Sequence, residues 1–294
     1  MTSATQSALD RARDVLRAAT LPDKLRLLGK GDVGSYAVDS ARLLYYDGRR
    51  TTFLSKDVTP DILAASLAYI IKVHTKTLKD EASAKLGISK YKGLPHLPAG
   101  FKWPKGQYFA AQFNLETLSP LDTYGVFPTH GMLYVFMSSE GDRATVAHYD
   151  GPLKSLQVTP YPDPASLPDA KYYLKDFMKE SARIEFTPNG ILYLGGDAYT
   201  YEEAYKLIPD ALRLDVEKAL GCPLTYKDTD TRIFGRPLYW QGEDEAFVHR
   251  RTVKEIPIVL YQDEFGEGHI HVWVNPSDAV RGDFSKCWLD YSGT

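Results

Sequence analysis

The sharpest local feature of the sequence is a pair of histidines, His269 and His271, separated by one residue in an apolar segment. Residues two apart on a β-strand share a face, so both imidazoles would point the same way. With Asp263, Glu264 and Glu267 just upstream, they form a ligand set that a divalent metal ion can use. One hypothesis is therefore a metal-dependent hydrolase or a small-ligand-binding protein that uses His269 and His271.

Other catalytic patterns are absent from the sequence. It has no Gly-x-Ser-x-Gly nucleophile motif and no Gly-Lys-Ser/Thr phosphate loop. Cys222 follows a predicted helix end and Cys287 lies in an apolar strand, so we expect structural thiols. Neighbouring acids such as Asp263-Glu264 point apart on a strand and do not by themselves make an acid–base pair. We predict no catalytic residue and no cofactor.

The charge balance restricts the classes of partner. The chain has 294 residues, with 35 Lys plus Arg against 38 Asp plus Glu and a net charge of -3. This balance argues against a general nucleic-acid or membrane-surface binder. The longest apolar run, Ile62 to Ile71, is followed by Lys72, so we expect no bilayer-spanning helix there. Two cysteines fit a reducing compartment, and a cytoplasmic location is the expectation.

The first third of the chain predicts an α+β extension, residues 1–87, packed on a main domain. Residues 5–20 have helical periodicity, and residues 41–54 predict a hairpin around Asp47-Gly48. Thr59-Pro60-Asp61 is a helix start, with an N-cap, a first-turn proline and an acid. The pattern predicts a helix to about Leu78 with His74 in its buried stripe.

Short strands punctuated by Gly and Pro dominate after residue 92. Pro188-Asn189-Gly190 predicts a turn between two of them, and a helix is expected from Pro209 to Gly221. This texture predicts an α+β fold with a largely antiparallel sheet. The predicted strands are Tyr108 to Leu115, Met132 to Met137, Thr145 to Tyr149, Arg183 to Phe186, Ile191 to Leu194, Pro257 to Tyr261, His269 to Val274 and Cys287 to Tyr291.

The strand-rich part repeats a three-part unit: a Gly-x-Pro turn, an apolar strand ending in Gln, and a Gly-led strand. The landmarks are Gly93, Gln112 and Gly131 in the first copy, and Gly235, Gln262 and Gly268 in the second. The echo predicts two pseudo-symmetric β-units, about 88–150 and 230–294, within a domain spanning 88–294. Chance is the alternative, because Gly-led apolar strands are common.

The alignment of the two copies bears on the histidine pair. Met132 and Tyr134 stand in the first copy where His269 and His271 stand in the second, and Phe136 matches Trp273. That face is apolar or aromatic in the first copy. The histidines are therefore also explained as substitutions on a packed sheet face.

The segment Lys92 to Pro104, which contains Gly-Leu-Pro, Leu-Pro, Gly-Phe and Trp-Pro, resembles the opening motif of the YwqG-like family of bacterial proteins of unknown function. Phe234 to Pro237 with Gln241-Gly242, and Gly268 to Val274 with the Asp283 to Trp288 segment, are similar to its later motifs. The resemblance implies an α+β fold with internal pseudo-symmetry and supplies no catalytic residues. Proteins resembling this family can occur beside toxin genes.

These observations favour a non-enzymatic protein-binding module, in one form an immunity protein that neutralises a bacterial toxin. An acidic loop at Asp263 to Glu267 can meet a basic surface by charge complementarity. A third hypothesis places a peptide in a groove between the two Gln-ended strands. The candidate binding residues are Gln112, Gln262, Asp263, Glu264, Glu267 and Trp273.

Overall fold

The computed structural model of the protein describes residues 7–27, 43–46, 49–52, 57–81, 84–179, 181–193, 202, 205–226, 231–237, 258–264 and 266–293. The chain divides into two compact units. Unit 1 comprises Met1–Lys72, Pro188–Arg236 and Val253–Ile256, and unit 2 comprises Val73–Thr187, Pro237–Thr252 and Pro257–Thr294. The predicted α+β class with a largely antiparallel sheet is confirmed.

The described part of unit 1 combines helices with short strands. Helix α1 (Ala8–Arg17) packs against α3 (Pro60–Ser66) and α6 (Asp210–Leu220), and its Leu9, Ala12 and Leu16 are fully buried or nearly so. Arg13, on the same helix, is also buried and donates to the Leu67 carbonyl at 2.8 Å. The elements are α1 (Ala8–Arg17), α2 (Asp23–Arg26), β1 (Leu43–Tyr46), β2 (Arg49–Thr52), α3 (Pro60–Ser66), α6 (Asp210–Leu220), β11 (Leu224–Thr225) and β12 (Arg232–Ile233).

Three local predictions for unit 1 are confirmed. Helix α1 lies within the predicted residues 5–20, and β1 and β2 pair antiparallel from Leu43↔Thr52 to Tyr46↔Arg49. Helix α6 ends at Gly221, whose φ of 78° is the left-handed conformation that favours glycine. Asp47 and Gly48 of the predicted turn lie outside the described residues.

The predicted helix from Thr59 to Leu78 is wrong in its second half. The start is as expected, since the Thr59 hydroxyl accepts from the Ile62 N–H at 3.2 Å, but α3 ends at Ser66 and the chain continues as β3 (Leu67–Thr77). Residues 67–71 are buried on both faces, so periodicity does not separate strand from helix, and β-branched and aromatic residues favour the strand. His74 is exposed rather than part of a core stripe.

The predicted turn at Pro188-Asn189-Gly190 is also wrong, because β10 (Ala182–Leu192) continues through it. Gly190 pairs in parallel with Leu224 of β11, and its N–H donates to the Pro223 carbonyl at 2.8 Å. A Cβ at Gly190 would overlap the Leu220 side chain. The glycine therefore serves close packing, and pairing with β11 overrides the local turn preference.

Unit 2 is built mainly from antiparallel strands. Within it, β4 lies between β10 and β6, β6 pairs with β7, and β7 pairs with β8. Strand β14 lies between β13 and β15. The elements are β4 (Lys90–Tyr91), β5 (His96–Pro98), β6 (Tyr108–Asn114), α4 (Leu115–Leu118), β7 (Met132–Met137), β8 (Ala144–Tyr149), β9 (Leu156–Val158), α5 (Ala170–Lys179), β13 (Ile258–Glu264), β14 (Gly268–Val274), α7 (Pro276–Val280) and β15 (Trp288–Gly293).

The predicted echo is confirmed in the strand pairing of two meanders. The first meander is β6-β7-β8 and the second is β13-β14-β15. Gln112 faces Tyr134, and Gln262 faces His271, at the same step of each ladder. Both ladders shift register one residue after the same aligned position, leaving Ala110 and Leu260 as the extra residues. A β-bulge at the same register in both ladders indicates that the two meanders have the same backbone arrangement.

The glycine that begins or precedes the second strand is required for the same physical reason in both meanders. A Cβ at Gly131 would overlap the carbonyl oxygen of Tyr149, and a Cβ at Gly268 would overlap that of Ser292. Tyr149 and Ser292 pair with Met132 and His269, the residues that follow the two glycines. The third strand thus passes so close to the second that only glycine fits.

The Gly-x-Pro turns are alike as well. Lys92 and Gly93 both have left-handed φ values, 51° and 71°, and Phe234 and Gly235 have 64° and 88°. A fully buried cation precedes each turn: Lys90 donates to the Leu94 carbonyl, and Arg232 donates to the Arg236 carbonyl four residues on. Trp240 and Gln241-Gly242 of the second motif lie outside the described residues.

The aromatic residues of the opening motif cover the first meander. Phe101 stacks on Phe136 with ring centroids 5.6 Å apart, and Trp103 meets the same ring edge-on at 5.1 Å. The indole N–H of Trp103 donates to the Gln107 carbonyl at 2.8 Å. This segment therefore closes the core of the meander.

Candidate functional site

A cleft of about 320 Å³ lies within unit 2. Its walls come from the turn after β4, the bulge of β6, the end of β7, helix α5 and the turn between β13 and β14. The lining is part aromatic and part charged. The lining residues are Tyr91, Lys92, Ala110, Met137, Ser139, Tyr173, Asp176, Phe177, Asp263, Glu264 and Gly266.

The Lys92-Gly93 turn fixes one wall of the cleft. The Lys92 N–H donates to the carbonyl of the bulge residue Ala110 at 2.8 Å, and the Gly93 N–H donates to the Phe177 carbonyl at 2.7 Å. The Lys92 ammonium lies 5.0 Å from the Tyr91 ring centroid and 5.7 Å from that of Phe177. Both distances are within cation–π range. This wall therefore already holds a positive charge against two aromatic rings.

The turn between β13 and β14 supplies the acidic wall. Asp263 is 5% exposed, and its carboxylate accepts from the Tyr261 hydroxyl at 2.8 Å and from the Glu264 N–H at 3.0 Å. Burial, followed by the charge of Asp263, raises the pKa of Tyr261 well above its usual value, so its hydroxyl stays a donor. The side chain of Glu264 is exposed at the rim. Asp263 is thus a buried, oriented carboxylate.

Helix α5 closes the third side. Tyr173 and Phe177 are four residues apart and share a face, and Phe177 stacks on Tyr108 with centroids 4.8 Å apart. Asp176 is exposed on the same helix beside the cleft. This helix was not predicted from the sequence, although the spacing of Tyr173 and Phe177 on a charged segment is a short amphipathic pattern.

The electrostatics of the cleft favour a cation. Among the described lining residues, Asp176, Asp263 and Glu264 contribute three carboxylates against the ammonium of Lys92. The aromatic faces of Tyr91, Tyr173 and Phe177 carry negative quadrupole potential. The arrangement is therefore suited to a positively charged, partly apolar group.

The structure brings some of the predicted binding residues together and leaves others apart. Asp263 and Glu264 line the cleft, and Glu267 is exposed on the same turn. Gln112, Gln262 and Trp273 are buried. The Gln112 amide donates to the Ile88 carbonyl at 2.7 Å and accepts from the His96 N–H at 2.8 Å. The binding roles of these three residues stay predictions.

His269 and His271 lie side by side on β14, with ring centroids 6.5 Å apart. His269 is 7% exposed, His271 is fully buried, and the His271 Nδ1 lies 3.9 Å from a carboxylate oxygen of Asp290. Within the described ranges, no group of three or more His, Cys, Asp or Glu side chains is placed to hold a metal ion. The metal hypothesis therefore depends on the two imidazoles alone.

Neither cysteine is a reactive thiolate at neutral pH. Burial raises the pKa of Cys222 and that of Cys287 to about 12. This state fits the structural role predicted for both.

A buried histidine in the first copy is held neutral. The His96 Nδ1 accepts from the Gly87 N–H at 3.1 Å, and the His96 carbonyl accepts from the Tyr134 hydroxyl at 2.7 Å. Burial, followed by the nearby charge of Lys90, lowers the pKa of His96 to about 4. This network was not predicted from the sequence, because it joins separate segments of the first copy.

The profile of a domain of unknown function (DUF1963) matches residues 89–292 of the chain, which begin just before β4 and end in β15. No curated protein matches the chain. No helix in the described part of the chain combines the length and apolar character that a membrane crossing needs.

Proposed function

Because the chain belongs to the DUF1963 family, whose function is unknown, we propose a function from the geometry of its cleft: a non-enzymatic protein-binding module. The observation that carries this proposal is the acidic, aromatic cleft formed by the β13–β14 turn, helix α5 and the Lys92-Gly93 turn. Aromatic residues are enriched at protein interfaces, and complementary charge directs association.

The comparison of the two meanders supports a role outside the fold for the acids. Phe113 and Asn114 occupy the positions of Asp263 and Glu264 in the first meander. Phe113 packs there against Tyr261 and Phe186, at 5.3 and 6.1 Å between ring centroids. The same backbone therefore accepts an apolar residue at this position, whereas burial of a carboxylate costs desolvation free energy. The fold does not require an acid there, and this supports a binding role for Asp263.

The specific form that we propose is a bacterial immunity protein located in the cytoplasm. Proteins that resemble the YwqG-like family can occur beside toxin genes, and two cysteines fit a reducing compartment. In this form the acidic turn covers a basic surface of a toxin. Charge complementarity of this kind accelerates association and excludes wrong partners. A toxin gene next to the gene of this protein would agree with the proposal.

A pull-down from the native host tests the proposal with three baits: the wild-type chain, Asp176→Asn/Glu264→Gln, and Glu116→Gln. Asp176 and Glu264 are exposed, so their variants preserve the fold, and Glu116 is an exposed acid on α4, outside the cleft lining. We expect one protein to be captured by the wild type and by Glu116→Gln, and lost with the double variant. Capture that is equal for all baits, or no captured protein, contradicts the proposal.

The alternative, a metal-dependent hydrolase, is favoured by the adjacency of the two imidazoles on β14. Elemental analysis of chain purified without a histidine tag tests it. Stoichiometric metal that is lost in His269→Ala/His271→Ala supports a metal centre. Absence of metal with unchanged folding of that variant excludes it.

A further inference from the structure

We propose that the cleft of unit 2 is a binding site for one arginine side chain, presented by the protein partner. The inference rests on the proposed function and specifies its chemistry. Its features are three aromatic rings, a buried oriented carboxylate and two carboxylates at the rim.

The aromatic faces favour a guanidinium. Tyr91 and Phe177 already hold the Lys92 ammonium at cation–π distance. A guanidinium is planar and weakly hydrated, so it stacks on such rings more readily than an ammonium does. An incoming arginine would therefore compete with Lys92 for the same rings.

The carboxylates supply the directional part of the recognition. The Tyr261 hydroxyl and the Glu264 N–H fix the orientation of the Asp263 carboxylate. An oriented carboxylate matches the parallel N–H donors of a guanidinium in a bidentate pair. Asp176 and Glu264 at the rim add charge without a fixed geometry. The cleft therefore combines orientation at its base with attraction at its opening.

The size of the cleft agrees with a single side chain. Its volume of about 320 Å³ is near the lower limit of ligand pockets, roughly 300 to 1,000 Å³. A folded segment of a partner does not fit in it, whereas one extended side chain does. The remainder of the partner would lie on the surrounding surface.

Substitution of Lys92 should change the affinity for arginine in the opposite direction to substitution of the acids. Lys92→Gln removes the competing charge and leaves the aromatic rings in place. We expect this variant to bind an arginine analogue about threefold more tightly, because the rings no longer hold an internal cation. We expect Asp263→Asn to bind it at least about tenfold more weakly, and Glu264→Gln to have a smaller effect of the same sign.

The experiment is a titration of the full chain with N-acetyl-arginine methylamide, followed by NMR and repeated with the citrulline and lysine analogues. We expect shifts at Tyr91, Tyr173 and Phe177 with the arginine compound, weaker ones with the lysine compound, and none with the uncharged citrulline compound. The variants are Lys92→Gln, Asp263→Asn and Glu264→Gln, with Glu116→Gln as the control that should behave as wild type. If Asp263→Asn is unfolded by circular dichroism, Glu264→Gln and Lys92→Gln, which change partly or fully exposed residues, decide the outcome.

Three results would overturn the inference: equal binding of the citrulline compound, tighter binding of the lysine compound, or shifts outside the cleft. Its failure differs from failure of the proposed function. A partner captured through the cleft, with no binding of the arginine compound, removes the inference and leaves the function. Binding of the arginine compound without a captured partner supports the site and removes the protein-binding function.

Discussion

The two meanders of unit 2 share a backbone and differ in chemistry. Both have the same register, the same bulge and a glycine at the same close approach. In the first meander, Tyr134 and Phe113 serve the core, whereas His271 and Asp263 occupy these positions in the second. A few shared positions therefore specify the backbone of both meanders. The remaining positions differ in chemistry, and those of the second meander supply two acids of the cleft.

The largest expected effect is at the shared glycines. Gly131→Ala combines overlap with the Tyr149 carbonyl and a φ of 91°, and we expect a loss of about 3–4 kcal/mol in the free energy of unfolding. Gly268→Ala has the overlap with Ser292 without the positive φ, so we expect about 2–3 kcal/mol. Urea denaturation measures both.

Gly125→Ala is the control for these substitutions, because its φ is 66° and the space around it is open. We expect about 1–2 kcal/mol for this variant. Losses at Gly131 and Gly268 no larger than this would show that the third strand does not approach as closely as described.

The second prediction concerns the shared glutamine. Gln112→Leu leaves the part-buried Ile88 carbonyl and the buried His96 N–H without their partner. We expect a loss of about 2–4 kcal/mol. If the two copies use glutamine alike, Gln262→Leu, also at a fully buried position, costs a comparable amount in the same denaturation experiment. If Gln262→Leu leaves the free energy of unfolding unchanged, the two copies use their glutamines differently. That result would favour the predicted binding role of Gln262.

The third prediction is a pH dependence that arises in the first copy. The pKa of His96 is about 4 in the folded chain against an ordinary 6.5, so the unfolded chain takes up a proton first as the pH falls. The free energy of unfolding should therefore decrease from about pH 6.5 to 4, by up to about 3 kcal/mol, and this contribution should then level off.

His96→Asn tests this dependence, because an amide oxygen can accept from the Gly87 N–H and does not titrate over this range. Its stability should fall less steeply than that of the wild type between pH 6.5 and 4. If the free energy of unfolding of the wild type and of His96→Asn falls by the same amount between pH 6.5 and 4, other groups cause the pH dependence. One such group is His148, whose pKa is also lowered by burial.

The smallest expected effect is at the histidine pair. His269→Met replaces this histidine with methionine, the residue found at the equivalent position of the first meander, Met132. If His269 is a packed residue of the sheet face, we expect the free energy of unfolding to change by less than about 1.5 kcal/mol. Loss of a bound metal in the same variant, measured by elemental analysis, would instead make this position the functional difference between the copies.

The sequence predicts the two meanders well because their strands combine period-two patterning with glycine and proline at fixed positions. It does not separate β3 from a continued helix, since residues 67–71 are buried on both faces. It also misses the continuity of β10 through Pro188 to Gly190, which depends on pairing with residues much later in the chain. Contacts distant in sequence decide both elements.

Only some residues of the candidate site could be identified from the sequence. Asp263 and Glu264 stand out in sequence as an acidic turn, and both line the cleft. Lys92, Asp176 and Phe177 were not predicted to join them, because three separate segments must fold together before the cleft exists. Local patterns identify charged turns, whereas only tertiary packing shows which aromatic faces lie beside them.

The central proposal is that the acids of the second meander bind a protein partner. Isothermal titration calorimetry of the captured partner with the purified wild-type chain, Asp263→Asn and Glu116→Gln tests this proposal. We expect Asp263→Asn to weaken binding at least about tenfold and Glu116→Gln to leave it unchanged. Equal affinity for all three chains would contradict it.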